Sequence, residues 1–282
     1  MTGSPERPLL LRGELQRFAV YAMATRFELV LEAPFDAGPA AEEALEEIEL
    51  AHARLSRFER ASWVSHLRRT CAKVPALLDL DQVELFQTAL EIERGTQGAF
   101  SPTHEQSGVL ELRGDRLRSR VAEPPIDLGA IAKGHALDLA ARVLRGAGIE
   151  RALLHGGTST ILALGGPFRV ALGSTNSGIT FELEDCALSV SAQSRQDSPD
   201  ASAAPPSYHV TDGRRGQPAA FDTPVVALGP SGLLCDAWST AALALAPARP
   251  CSSLLDAHGI ELHFPALSPS EAPCSDPTVA TS

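Results

Sequence analysis

The segment Leu234–Ala246 is apolar almost all the way round a helix, and it carries one carboxylate, Asp236. A helix of that kind is expected inside a protein, covered on every side. The remaining segments supply the cover. After Pro39, the residues Ala41, Ala44, Leu45, Ile48, His52 and Leu55 recur at helical spacing. Glu42, Glu43, Glu46, Glu47 and Glu49 take much of the other side and read as a solvated face. A second helix is expected from Asp81 to Arg94, with an aspartate as N-cap and Gly95 as stop. A third starts near Ala132 and ends at Gly146.

Extended runs lie between and after these helices. Residues 14–33 read as a strand pair around Phe18–Val20 and Phe27–Leu31. Further strands are expected at Arg151–Leu154, Phe168–Leu172, Ile179–Leu183, Ala187–Ser191, Tyr208–Thr211 and Pro224–Leu228. Gln193–Ser207 and the Pro/Ser-rich end from Pro265 read as loops. Strands and helices mix without strict alternation, so the fold class is α+β. One domain is expected over 14–264, divisible into two subdomains near 125, with 1–13 as an extension and 265–282 as a disordered tail.

Composition narrows the function. The formal net charge of −11 argues against nucleic acid as a partner. The five cysteines are widely spaced with no Cys-x-x-Cys pair, so neither a zinc site nor a disulfide framework is indicated. No signal peptide and no membrane span are legible, which reads as cytoplasmic; a trimmed N-terminus would make it periplasmic or membrane-attached. Arginine outnumbers lysine so strongly that only Lys73 and Lys133 are lysines.

Four constellations could carry chemistry. Asp127 to His135 is a glycine-punctuated turn leading into the third helix, where exposed amides and a helix start favour an anion and Lys133 adds a point charge. An ordinary capped helix start explains the same residues. Asp236, Ser239 and Thr240 stand at i, i+3 and i+4, so one helical face carries three side-chain oxygens suited to a hard cation such as Mg²⁺. The alternative is an N-cap aspartate and a threonine bonded one turn back. His209, in a strand that runs into the turn at Gly213, is a candidate general base or a merely accommodated histidine. His155-Gly156-Gly157-Thr158-Ser159 allows close backbone approach to a ligand, or is a plain turn.

In order along the chain, these segments resemble the ApbE-type FAD:protein FMN transferases over roughly residues 18 to 247. Met23-Ala24-Thr25-Arg26-Phe27 is similar to that family's M-G-T-x-F, and Ser56-Arg57-Phe58 with Ser62 to Leu67 is similar to S-x-F…S-x-L. Gly98 to Thr103 is similar to G-A-F-D-P-T, and Asp127 to Gly134 is one residue away from D-L-G-G-I-A-K-G. His209 to Gly216 is similar to H-I-I-D-P-R-T-G, and Cys235 to Ala241 to A-D-A-x-x-T-A. The chain departs from the pattern where Ser101 replaces the aspartate of F-D-P-T and Gly213 the proline of I-D-P. Likewise, residues 155–159 stand where N-A-G-G-D is usual, and Ser189-Val190-Ser191-Ala192 replaces A-T-S-G.

The resemblance implies an ApbE-like mixed sheet with helices and a flavin site in a cleft between two halves. It implies transfer of the FMN half of FAD to a threonine or serine of an acceptor flavoprotein at a Ser/Thr-x-Ala-Thr-like site, with AMP leaving and Mg²⁺ required. By carry-over, His209 is the base; Ala132, Asp236, Ser239 and Thr240 surround Mg²⁺; and Met23, Ala99, Phe100, Ser101, Gly129, His135 and Thr211 contact FAD, joined by Lys133 from its place in the glycine-punctuated turn. Hydrolysis of FAD to FMN and AMP, or flavin binding without catalysis, are the alternatives.

Overall fold

The structure is a computed structural model, and it describes residues 13–265 except 105, 173–178, 194, 197–206, 209, 220–222, 247, 249 and 251. The first half begins with a hairpin, β1 (Glu14–Ala22) and β2 (Thr25–Ala33), followed by helices α1 (Gly38–Leu55) and α2 (Trp63–Thr70). Next come β3 (Ala76–Leu77), α3 (Leu80–Gly95), β4 (Leu110–Arg113) and β5 (Arg116–Ser119). The second half opens with α4 (Ala132–Gly146), then β6 (Arg151–Gly156), β7 (Thr160–Leu164), β8 (Phe168–Leu172), β9 (Ile179–Leu183) and β10 (Ala187–Ser191). Four two-residue strands follow: β11 (Arg195–Gln196), β12 (Ser207–Tyr208), β13 (Thr211–Asp212) and β14 (Gln217–Pro218). The chain closes with β15 (Val225–Gly229), α5 (Gly232–Leu245), α6 (Ser252–His258) and β16 (Glu261–His263).

Seven strands form the central sheet in the order β1-β2-β6-β7-β10-β15-β16, every neighbouring pair antiparallel. Side chains alternate between its faces with the period of two that a strand imposes. On β2, Phe27, Leu29, Leu31 and Ala33 join the core beneath the helices, while Val30 joins a second cluster on the other face. On β6 and β7, Leu154, Leu162 and Leu164 face the helices, and Leu153, Ile161 and Ala163 face away. The hairpin β8–β9 covers that second face through Val170 and Leu183. Because both faces are covered there, β7 and β15 read as almost unbroken apolar runs.

The helix layer comprises α1, α4 and α5, with α3 packed against α5. The inward stripe of α1 is Ala41, Ala44, Ile48, Ala51 and Leu55, and its small residues let α4 lie close. Glu42, Glu43, Glu46 and Glu49 are exposed, as the solvated-face reading expects. Helix α5 is buried on nearly all sides between α4, α3 and strands β10 and β15. It starts two residues earlier than its apolar run suggests, because Ser231 is the N-cap and accepts from the Leu234 N–H at 3.2 Å. Asp236 therefore lies inside the helix, and the N-cap alternative for it fails. Helix α2 and the small sheet β3-β5-β4 were not expected from sequence; α2 is eight residues long and held by the Ser62 cap to the Ser65 N–H at 3.0 Å. The Tyr208–Thr211 run is two short strands, β12 and β13, rather than one, and residue 209 lies outside the described residues.

Candidate functional site

A cleft of about 830 Å³ has walls that come from segments far apart in the chain. One wall is the β1–β2 turn, where Met23 and Ala24 sit at φ 50° and 57°. A two-residue hairpin turn of this kind requires left-handed backbone, and placing non-glycine residues there costs energy. The turn is anchored by the Met23 N–H, which donates to His52 Nδ1 at 3.3 Å. A second wall is the loop that carries Ala99, Phe100, Ser101 and His104. The Asp127 N–H donates to Pro102 O at 2.8 Å, and the Gly213 N–H donates to Ala99 O at 2.9 Å, so three loops are tied together by main chain. The close approach leaves room only for glycine at 213: a Cβ there would lie 2.5 Å from Gly98 O and 2.9 Å from His104 O.

The polar end of the cleft is built where α4 and α5 begin. Asp236 is almost wholly buried, yet it borders the cleft. A carboxylate there is tolerable only if its oxygens are satisfied. Oδ2 accepts the Gly134 N–H at 3.0 Å; Oδ1 accepts from Thr160 Oγ1 at 3.2 Å and from Ser189 Oγ at 3.1 Å. Lys133 Nζ stands 3.8 Å from the same Oδ1. Beside them, Ser191 Oγ lies 2.8 Å from Ser239 Oγ and 3.0 Å from Thr240 Oγ1.

A second charged cluster lies on the same cleft. Asp127 Oδ2 is 2.7 Å from both Arg57 Nη1 and His104 Nε2, and Oδ1 accepts the Gly129 N–H at 2.9 Å. Burial pushes the Asp127 carboxyl up, but the hydrogen bonds from His104 and Gly129 and the Arg57 charge outweigh it and hold the group below its ordinary value. Under the neighbouring loop, Glu93 is buried and accepts from Ser101 Oγ at 2.5 Å; burial pushes its pKa up.

Of the residues expected to contact FAD, Met23, Ala99, Phe100, Ser101, Gly129, Lys133 and Thr211 line this cleft. His135 does not. It lies two residues beyond Lys133, about 200° round the helix, and borders a separate cavity of about 160 Å³ with Asp138 and Arg142. There, burial pushes its pKa down to about 4. Of the expected cation ligands, Ala132, Asp236 and Thr240 border the cleft, whereas Ser239 is fully buried, its Oγ 3.1 Å from the Asp236 carbonyl. His209 lies outside the described residues; Val210 and Thr211, which follow it in sequence, line the cleft. Arg57, His104, Thr160 and Ser189 carried no functional expectation. Arg57 occupies a motif position open to any residue, and the others meet the site only through tertiary packing.

Among the described residues, no group of three or more His, Cys, Asp or Glu side chains could enclose a metal ion. The expected cation donors that border the cleft, the Asp236 carboxylate, the Thr240 hydroxyl and the Ala132 main-chain carbonyl, are all hard oxygen. That set suits Mg²⁺ only in its usual form, bound by one or two carboxylates and completed by water and substrate phosphate.

The ApbE family model matches residues 104–264, more than half of the chain. The chain belongs to the ApbE family. The flavin transferase ApbE from Vibrio cholerae superposes with a TM-score of 0.70 at 18% identity, over 90% of this chain and 98% of that one. The apo flavinyl transferase ApbE of Pseudomonas stutzeri gives 0.71 at 21% identity, over 90% and 92%. The ApbE protein of Thermotoga maritima gives 0.74 at 21% identity, over 88% and 93%. These ApbE structures share the fold of this chain. No curated protein matches its sequence.

Proposed function

We propose that this ApbE-family protein transfers the FMN moiety of FAD to a threonine or serine hydroxyl of an acceptor flavoprotein, with release of AMP. The observation that carries the reading is the buried Asp236 carboxylate, bordering an 830 Å³ cleft beside Lys133 and Thr240. The volume lies in the upper part of the range of small-molecule sites, about 300–1,000 Å³. The apolar parts of Met23, Ala99 and Phe100 suit a flavin ring; Lys133 and the first turn of α4 suit a diphosphate.

Asp236 and Thr240, with the Ala132 carbonyl, would hold Mg²⁺. Held there, Mg²⁺ would supply positive charge opposite the charge that develops on the diphosphate during phosphoryl transfer. The protein's own contribution is placement. Thr160, Ser189 and the Gly134 N–H hold the Asp236 carboxylate in one orientation, so little reorganisation accompanies reaction. Lys133 brings a second positive charge to the same end of the cleft. Asp127 orients Arg57 and His104 on the cleft wall. His209 is assigned as the base that removes the proton from the incoming hydroxyl. His135, in its separate cavity, is assigned to packing rather than to FAD.

The test uses purified protein, FAD, Mg²⁺ and a peptide bearing a Ser/Thr-x-Ala-Thr site. A peptide mass increased by FMN, together with stoichiometric AMP, supports transfer. AMP formed at the same rate without peptide assigns FAD hydrolysis instead. FAD binding with no AMP under any condition refutes both enzymatic readings.

A further inference from the structure

Helices α4 and α5 begin side by side, and each lacks part of its own N-terminal capping. Ile131 precedes α4 and offers no side-chain cap. The third amide of that helix, Gly134 N–H, instead donates to Asp236 on α5. On α5, the Ser231 side chain satisfies the Leu234 N–H alone. The Gly232 and Leu233 N–H groups donate to the two oxygens of Asp138 on α4, both at 2.8 Å. Four amides at each helix start need partners, and here each helix lends the other a carboxylate. The exchange is possible because two glycines meet at the crossing: a Cβ on Gly134 would fall 2.0 Å from Gly232 O, and one on Gly232 would fall 2.6 Å from Gly134 O.

Asp138 does not border the cleft; it faces the separate cavity that also holds His135. Anything it does for the cleft it does through α5. Charge-assisted bonds from two successive amides to two oxygens of one carboxylate fix both the rotation of a helix and its position along its axis. Asp236 sits one turn further along that helix, so the same two bonds set where its carboxylate lies.

We propose that Asp138 is a positioning residue for the cleft carboxylate, holding α5 in the register that brings Asp236 to the Gly134 amide and the cleft. The role in catalysis rests on the transferase reading above; the positioning of Asp236 stands without it. Asp138→Ala removes both bonds. Ser231→Ala removes a different cap from the same turn of α5 without touching α4, and serves as the matched control. Asp138→Asn keeps one acceptor oxygen.

The primary readout is amide hydrogen exchange at Gly134 in the protein without FAD or Mg²⁺. Asp138→Ala is expected to speed it at least about tenfold, Asp138→Asn by less, and Ser231→Ala by less than about twofold. Equal Gly134 exchange in Asp138→Ala and wild type overturns the proposal, as does equal acceleration in Ser231→Ala. If Asp138→Ala fails to fold, the comparison of Asp138→Asn with Ser231→Ala decides by the same criterion. The second readout is AMP release against Mg²⁺ concentration: the half-saturating concentration is expected to rise at least about tenfold in Asp138→Ala, with the KM for FAD within about threefold of wild type. A wild-type protein that releases no AMP, while Gly134 exchange still responds to Asp138→Ala, refutes the transferase reading and leaves the positioning role intact.

Discussion

Gly134→Ala places one methyl group where the structure has least room for it. The new Cβ would lie 2.0 Å from Gly232 O, 2.3 Å from Gly232 C and 2.8 Å from Leu233 N, all main-chain atoms that cannot rotate aside. Restoring an ordinary 3.4 Å contact to the carbonyl oxygen moves the first turns of α4 and α5 apart by about 1.4 Å. The hydrogen bonds that bridge the crossing, 3.0 Å from Gly134 to Asp236 and 2.8 Å from Gly232 and Leu233 to Asp138, do not survive that displacement. Overpacking costs about 1–3 kcal/mol, and stranding buried amides and carboxylates adds roughly 1–3 kcal/mol. For a chain of this size each kcal/mol is worth about 2–4 °C in Tm, so the melting temperature should fall by roughly 5–20 °C. Gly146→Ala is the control within the same helix: a Cβ there meets nothing within 4 Å, and alanine is the better helix former. Thermal melts of the three proteins decide. A Gly134→Ala protein that melts within about 2 °C of wild type would refute the close-approach argument, and with it the account of how Asp236 is held.

Three further outcomes follow from the site and its surroundings. Asp236→Ala should lower AMP release at least about a hundredfold and abolish any rise in Tm on adding FAD with Mg²⁺; an undiminished rise in Tm would remove Asp236 from the cation site. Ser101→Asp sets a second carboxylate against Glu93, whose Oε1 is 2.5 Å from Ser101 Oγ. It should destabilise the protein by about 1–3 kcal/mol at pH 7, and Glu93→Gln in the same chain should recover most of the loss in urea titrations; no recovery would refute the pairing. Burial holds the His135 pKa down at about 4, against an ordinary value of 6.5, so the unfolded chain binds the extra proton and stability falls as pH drops from 6.5 towards 4. Asp138 runs the other way, its pKa raised by burial to about 6, so its contribution is present below 3.8 and is lost as pH rises through 6. His135→Leu should therefore gain about 2 kcal/mol on wild type between pH 7 and pH 4.5, read as a shift in urea midpoint; a pH-independent difference would show that His135 is not held neutral.

The sequence displayed what depends on periodicity and concealed what depends on tertiary contact. The stripe of α1, the limits of α4 at Ala132 and Gly146, and the strands Phe168–Leu172, Ile179–Leu183 and Ala187–Ser191 were legible because local pattern and burial agree there. Helix α2 was missed because it is only eight residues long, so its apolar side, Val64 and Leu67 with Trp63, is too short to display a period; its stability comes from the Ser62 cap and the packing of Val64 and Leu67. In the cleft, Asp236 stood out as a charge in an apolar helix, and Lys133 as one of two lysines. The i+3 spacing of Ser239 puts it near a helical face but does not decide whether it meets a cleft or a strand; here it meets Ser189 on β10. Thr160 and Ser189, separated from Asp236 by 76 and 47 residues, gave no local signal at all.

The mutual capping of α4 and α5 also bears on when the cleft comes into being. Its bonds join residues 94 to 102 positions apart, and neither helix has a complete first turn until the other is in place. Contacts of such long sequence separation form late, after the loops between them have closed. A chain still short of residue 232 has the α4 start and Lys133 but no carboxylate to order them. The polar end of the cleft thus depends on both helix starts together, and it should be lost in one step when either frays.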